Sequence, residues 1–208
     1  MKQACVCVFA KAPVKGRVKT RLFPSISEQQ ACDVHEKLLE HCLSNTHHDD
    51  WQRQLWSTDT QHPFIQSCEK KYSIPLCLQQ GSDLGEKMYL AASESLKTFS
   101  YVIIIGTDCP TLNANYISEA VSRLKAGANV VLGPAVDGGY VLIGLSVDIE
   151  SIFKDMQWGN EQVLSHTRQR LREAGISWEE LAVQRDIDRP EDLDFLKQLQ
   201  PSWFIRSA

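Results

Sequence analysis

The sequence predicts an α/β protein, a three-layer α/β/α sandwich around a mostly parallel central sheet, and three observations predict it. Strand-like and helix-like stretches alternate at least four times in the first 135 residues, the pattern of a parallel sheet covered by helices on both faces. The run Tyr101-Val-Ile-Ile-Ile-Gly106 is continuously apolar, as a strand buried on both faces must be. A chain of 208 residues can bury roughly 70% of its unfolded surface. It therefore needs neither disulfide nor structural metal, and residues 1–208 read as a single domain.

The elements follow in order. Residues 3–10 read as a buried strand in which Cys5 and Cys7 share one face. A loop rich in Lys, Arg, Pro and Gly comes next. Ser27-Glu-Gln-Gln fits a capping box and opens a helix to about Asn45. Residues 53–58 read as a second strand, 63–71 as a short helix and 74–79 as a third strand. Leu84 to Lys97 has the helical spacing of apolar residues, with Asp83 placed to cap it. A helix over 113–125 stops before Gly127, as a C-terminal glycine predicts. Two strands, 128–134 and 140–145, flank Val136-Asp-Gly-Gly139 and break the alternation, so antiparallel strands are expected at a sheet edge. After Gly159 a helix runs to about Glu173, with Gly175 as its stop. Asp188, three residues before Glu191, reads as the cap of a last helix.

Composition narrows the function. A net charge of −4 argues against a nucleic-acid partner. The apolar N-terminal run is too short to span a membrane and lacks a cleavage site, so a cytoplasmic location is expected. Seven cysteines, none in a Cys-x-x-Cys pair, suggest neither a disulfide framework nor zinc. There is no Walker loop, no Gly-x-Gly-x-x-Gly fingerprint, no His-Glu-x-x-His and no Gly-x-Ser-x-Gly elbow.

In a parallel sheet ligands bind outside the carboxyl ends of the strands, and three loops there carry unusual residues. The first, Lys11 to Arg21, holds Lys11, Lys15, Arg17, Lys19 and Arg21 in a chain that is acidic overall. Phosphate is bound by such donors, lysine as a point charge and arginine as a fork, and Gly16 would let the backbone come close. The alternative is a solvated basic loop. In the second loop, Gly106-Thr-Asp-Cys-Pro110, Asp108 leaves the most buried strand and is placed to hold a hard cation such as Mg2+ or Mn2+. It reads also as a turn residue before Pro110. The third, around Asp137, Gly138, Gly139 and Tyr140, reads either as a pocket wall or as a plain hairpin. Asp186 and Asp188 are candidate metal ligands, the latter also a candidate cap.

In combination these blocks resemble a known family. Phe9-Ala-Lys-Ala-Pro13 with Gly16 and Lys19-Thr-Arg-Leu22, then Gly81-x-Asp-Leu-Gly-Glu-Lys-Met88, look like two of its signatures. Gly106-Thr-Asp-Cys-Pro110 and Gly133-Pro-Ala-x-Asp-Gly-Gly-Tyr-x-Leu-Ile-Gly144 look like two more, and Trp158 and Asp186-Ile-Asp188 also fit. The family is a small glycosyltransferase-like group in the nucleotide-diphospho-sugar transferase superfamily, of GT-A fold, some members of which are named for arsenosugar biosynthesis. The resemblance implies a Rossmann-like sheet whose first half binds a nucleotide. Lys11, Arg17, Lys19 and Arg21 would face phosphates, and Asp108 would ligate a divalent metal. Asp83 and the 137–140 loop would line the base, sugar or acceptor pocket. Many GT-A enzymes have Asp-x-Asp at the metal position, where this chain has Thr107-Asp108-Cys109. A second carboxylate would then come from Asp186 or Asp188, because cysteine suits magnesium badly. The basic loop also resembles that of guanylyltransferases which build the molybdenum cofactor dinucleotide and phospholactate-type cofactors.

Three functions are therefore expected in order. The first is metal-dependent transfer of a sugar from a nucleotide-diphospho-sugar to a small acceptor, with Lys19, Arg21 and Asp108 as the catalytic group. The second is nucleotidyl transfer from a triphosphate onto a phosphorylated small molecule, with pyrophosphate release. The third is a non-catalytic nucleotide-binding module.

Overall fold

The computed structural model describes residues 2–204. Seven strands form one sheet: β1 (Ala4–Ala10), β2 (Trp51–Ser57), β3 (Leu76–Leu78), β4 (Tyr101–Gly106), β5 (Val130–Pro134), β6 (Tyr140–Leu145) and β7 (Trp178–Glu180). Their spatial order is β3-β2-β1-β4-β6-β5-β7. All neighbours are parallel except β6, which runs antiparallel to both β4 and β5. The sheet is thus mostly parallel, as the alternation requires.

Helices cover both faces. Alternate residues of β1, Val6 and Val8, join Leu39 and Leu43 of α1 (Glu28–Asn45), Ile65 of α2 (Pro63–Tyr72) and Ile117 of α4 (Ala114–Lys125) in one core. Cys5, Cys7 and Phe9 point the other way, to Met88 and Ala91 of α3 (Leu84–Leu96) and to Leu164 and Leu171 of α5 (Val163–Glu173). All seven cysteines are free thiols. The capping box of α1 forms: Ser27 accepts from Gln30 N–H while the Gln30 side chain accepts from Ser27 N–H.

Several boundaries differ from the sequence reading. β2 begins at Trp51 rather than 53, because the Trp51 indole is buried and donates to Thr46 O, 3.1 Å. β3 shrinks to three residues, because it is an edge strand paired only with the end of β2. The pair β5 and β6 does not lie at a sheet edge. β6 inserts between β4 and β5, where five of its six residues are buried, and the unforeseen β7 takes the edge. α5 starts at Val163, after a turn in which Asn160 Oδ1 accepts from Gln162 N–H. Asp188 caps nothing. The last helix, α6, spans Asp192–Leu199, and Asp192 instead accepts the backbone N–H groups of Asp188 (3.1 Å) and Arg189 (2.8 Å).

This topology locates the site. β1 has β2 on one side and β4 on the other, so the chain reverses its direction of winding between β1 and β4. A crevice opens outside the carboxyl ends of strands at such a switch point. The two loops that leave there are Lys11 to Arg21 and Gly106 to Pro110.

Candidate functional site

A cleft of about 510 Å3 lies at this switch point. Lys11, Arg17, Lys19 and Arg21 line it from the loop after β1, Asp108 from the loop after β4, and Asp186 and Asp188 from the segment before α6. Asp137, Gly139 and Tyr140 line its far side. The sequence-predicted residues therefore meet in one place, apart from three. Gly16 lies outside the lining, at φ +78° beside the Glu28 carboxylate. Gly138, at φ +88°, is packed against Glu161 O and donates to Ala135 O within the β5–β6 turn. Asp83 caps α3 by accepting from Glu86 N–H, 2.9 Å, and lines a separate hollow with Ser82 and Glu150. The turn reading at 137–139 also holds, since Asp137 Oδ1 accepts from Gly139 N–H, 2.8 Å.

Two carboxylates reach Asp108 through the backbone. Ile187 N–H donates to Asp108 O, 2.9 Å, which lays the 186–188 segment beside the end of β4. Ile187 is fully buried, and its neighbours Asp186 and Asp188 both line the cleft. Cys109 does not occupy the place of a second ligand. Its Sγ sits in the opposite core beside Thr111 Oγ1 (3.4 Å) and Gln184 Oε1 (3.9 Å), 3% exposed.

Two ion pairs already stand in the cleft. Lys19, left-handed at φ 50° and almost wholly buried, places Nζ 2.8 Å from Asp108 Oδ1 and donates to Ile187 O. Arg21 donates to Asp188 Oδ2, 2.5 Å, and to Gly159 O, 3.0 Å. Asp108 is closed on one side only. Its Oδ1 is shut off from solvent and faces the Lys19 ammonium, whereas the side chain as a whole is 46% exposed toward the cleft. Burial alone would raise its carboxyl pKa, but Lys19 and then His35 outweigh that and hold it below the usual carboxylate range. Asp186 goes the other way. Burial first, then the negative charges of Asp137 and Asp108, push it up to about 6. Such mutual repulsion marks a place where a cation would be welcome.

Sequence reasoning missed several lining residues. His35 of α1 is buried behind the basic loop, and its Nε2 donates to Lys11 O, 2.9 Å. Burial lowers its pKa. Gln79 commits its amide to Ala10 O (3.2 Å) and Trp56 O (2.8 Å), tying together the ends of β1 and β2. No local pattern announces either residue. Trp158 stands against Gly85, where an added Cβ would lie 2.8 Å from the indole nitrogen and 2.3 Å from Phe153 O. Trp158 Nε1 and the Tyr140 hydroxyl are both closed to solvent without a hydrogen-bond partner. The two rings meet edge to face at 6.4 Å and 89°. Burial pushes the Tyr140 phenol upward, so it stays protonated.

Among the described residues no three His, Cys, Asp or Glu groups form a ready metal cage. The set nevertheless fits Mg2+ or Mn2+, which take one or two carboxylates and complete their shell with phosphate oxygens and water. Asp108 offers hard oxygens on a side chain that opens onto the cleft, and Asp186 and Asp188 offer more. Among the described residues no helix is long and apolar enough to cross a membrane.

Known structures share this architecture. A protein from Desulfovibrio desulfuricans G20, provisionally named a nucleotide-diphospho-sugar transferase, is 25% identical with a TM-score of 0.87, covering 96% of this chain and 88% of its own. A cytidylyltransferase from Leptospira borgpetersenii serovar Hardjo-bovis (strain JB197) is 13% identical, with a TM-score of 0.61 over 99% and 89%. Glucosyl-3-phosphoglycerate synthase from Mycobacterium tuberculosis, solved with Mg2+ and uridine-diphosphate, is 10% identical, with a TM-score of 0.53 over 100% and 81%. The fold is thus that of the nucleotide-diphospho-sugar transferases, and its solved neighbours include both glycosyl and nucleotidyl transferases. No curated protein matches the chain in sequence. Residues 38–160, more than half of the chain, match the family described as "Uncharacterized protein conserved in bacteria (DUF2064)", and the chain belongs to that family.

Proposed function

We infer that this protein is a metal-assisted transferase that moves a sugar from a nucleotide-diphospho-sugar to a small acceptor. One observation carries the reading. The basic loop after β1 and the carboxylates Asp108, Asp186 and Asp188 face one another across a switch-point cleft, the two halves that a metal-bound diphosphate requires. Lys11, Arg17, Lys19 and Arg21 are assigned to the phosphates, with Gly16 shaping their loop. Asp108, with Asp186 or Asp188, is assigned to the metal. A bound Mg2+ or Mn2+ would supply neutralisation of the charge that builds on the departing diphosphate.

The chain's own residues do the rest. Lys19 and Arg21 now neutralise Asp108 and Asp188. When the donor's phosphates arrive, both cations can turn to them without leaving the cleft, and the charge grows where fixed cations already stand. The half of the cleft formed by Asp137, Gly139 and Tyr140, braced by Gly138, holds the sugar or the acceptor. Asp83 serves as the cap of α3 and sets the turn at the cleft's edge rather than touching the donor. The cytidylyltransferase among the neighbours supports a second reading, nucleotidyl transfer from a triphosphate with pyrophosphate release.

Thermal unfolding with nucleotide-sugars and triphosphates, each with and without Mg2+ or Mn2+, tests both readings. A ligand at 100 times its Kd adds about 2.7 kcal/mol, a rise of about 5–11 °C in a chain of this size. Release of a nucleoside diphosphate supports sugar transfer, and release of pyrophosphate supports the second reading. No shift with any nucleotide and metal overturns both.

A further inference from the structure

The two halves of the cleft differ in charge. Every cation in its lining, Lys11, Arg17, Lys19 and Arg21, comes from the single loop after β1. The lining contributed by residues 135–188 contains no cation at all, but it holds Asp137, Asp186 and Asp188. Lys19 and Arg21 reach that side, but Lys19 is engaged by Asp108 and Ile187 O, and the Arg21 guanidinium by Asp188 Oδ2 and Gly159 O. Beside these carboxylates stands the edge-to-face corner of Tyr140 and Trp158, with Met88, Ile143 and Val163 also in the lining. The indole is not held in place by its N–H, which has no acceptor. It is seated by surface contact against Gly85, where a side chain would collide with it. A buried N–H left without a partner calls for an explanation, and here the explanation is that the ring's surface is what the wall uses.

We propose that this half of the cleft takes an uncharged or cationic acceptor with a flat apolar face, and rejects a phosphorylated one. An alcohol or amine can donate to the carboxylates while its apolar part covers the aromatic corner. A phosphate would meet Asp137, and whichever of Asp186 and Asp188 the metal does not hold, with no free cation on that side, and like-charge juxtaposition is a strong means of exclusion. The proposal rests on the transferase reading only for the word acceptor and for the metal.

Three probes that share one benzyl group test it: benzyl alcohol, benzylamine and benzyl phosphate, titrated separately onto the protein and followed by tryptophan fluorescence and ligand-observed NMR. At the site that depends on Trp158 the amine is expected to bind more tightly than the alcohol, and both at least about tenfold more tightly than the phosphate. Trp158→Ala should weaken both about tenfold while leaving nucleoside-diphosphate binding intact. Should that variant fail to fold, Asp137→Asn keeps the oxygen that accepts from Gly139 N–H and should erase the preference for benzylamine over benzyl alcohol. Benzyl phosphate binding that is equal or tighter and is weakened by Trp158→Ala, no saturable binding of any probe, or a preference unmoved by Asp137→Asn would overturn the proposal. Nucleoside diphosphate with Mg2+ is titrated in parallel, so that its failure to bind indicts the transferase reading and not this one.

Discussion

Replacing Asp108 with Asn should destabilise the ligand-free protein by about 2–3 kcal/mol. The magnitude follows from unequal burial of the pair. Breaking a fully buried ion pair costs about 3–5 kcal/mol, because the abandoned partner stays desolvated. An exposed pair is worth about 0–1 kcal/mol. Lys19 is 3% exposed and keeps only Ile187 O when the carboxylate goes, whereas Asp108 is 46% exposed through the cleft. The cost therefore sits between the limits and falls mainly on the lysine side. Lys19→Met should cost less, about 1 kcal/mol, because the freed Asp108 can hydrate through the open cleft. Denaturant unfolding of both single variants and the double variant gives the coupling, expected at about 1–2 kcal/mol. Lys19 and His35 hold the folded Asp108 carboxyl below its unfolded value, despite the opposing effect of burial. The pair's stabilisation is accordingly present above an unfolded pKa of about 3.9 and is lost as pH falls through the lower folded value. Single effects that merely add, to within about 0.5 kcal/mol, would refute the argument that one charge neutralises the other.

Two further predictions follow from the same cleft. Asp186→Asn should stabilise the metal-free protein at about pH 8 and do nothing near pH 4. The folded carboxyl, raised to about 6, binds its proton more tightly than the unfolded one, so stability falls as pH rises through that value. The shift corresponds to about 3 kcal/mol, reduced to about 1–2 because the group opens partly onto solvent. Identical urea midpoints for variant and wild type at both pH values would show that the repulsion is absent. Gly85→Ala should cost about 1–3 kcal/mol and alter tryptophan fluorescence, since its methyl would meet Phe153 O at 2.3 Å and the Trp158 ring at 2.8 Å. An unshifted emission spectrum would mean that the indole is not seated on Gly85.

How far the sequence reveals this protein depends on the range of the interactions concerned. The capping box at Ser27 and Gln30 spans three residues and is legible at sight. The basic loop and Asp108 are legible as strand-end residues because the order of winding puts both beside β1. Asp188 shows the opposite. A good capping residue in local terms, it instead receives Arg21, which lies 167 positions away, and no window of sequence contains both. The central position of β6 is hidden for the same reason, since hairpin spacing predicts that β5 and β6 pair but not which outer partner each will find. His35 and Gln79 matter through hydrogen bonds to the carbonyls of Lys11, Ala10 and Trp56, and main-chain acceptors leave no trace in residue identity.

On the proposed function, a separated set of carboxylates would replace the Asp-x-Asp that this chain lacks at Thr107-Asp108-Cys109. In an adjacent pair both carboxylates would leave the end of one strand. Here Asp108 ends β4, while Asp186 and Asp188 arrive on a segment fastened by the Ile187 N–H to the Asp108 carbonyl. The residue after Asp108 is thereby free to turn inward, and Cys109 fills core space beside Gln184. The arrangement has a consequence for binding. A cation alone would have to part Lys19 from Asp108 and leave a buried ammonium without its partner. A phosphate alone would draw Lys19 and Arg21 away and leave Asp108 and Asp188 uncompensated. Arriving together, metal and phosphate exchange partners with these pairs and leave no charge unmatched. In the nucleotide titration, stabilisation by nucleotide and Mg2+ added together should therefore exceed the sum of their separate effects. Strict additivity would mean that the two ion pairs stay closed when the ligand binds.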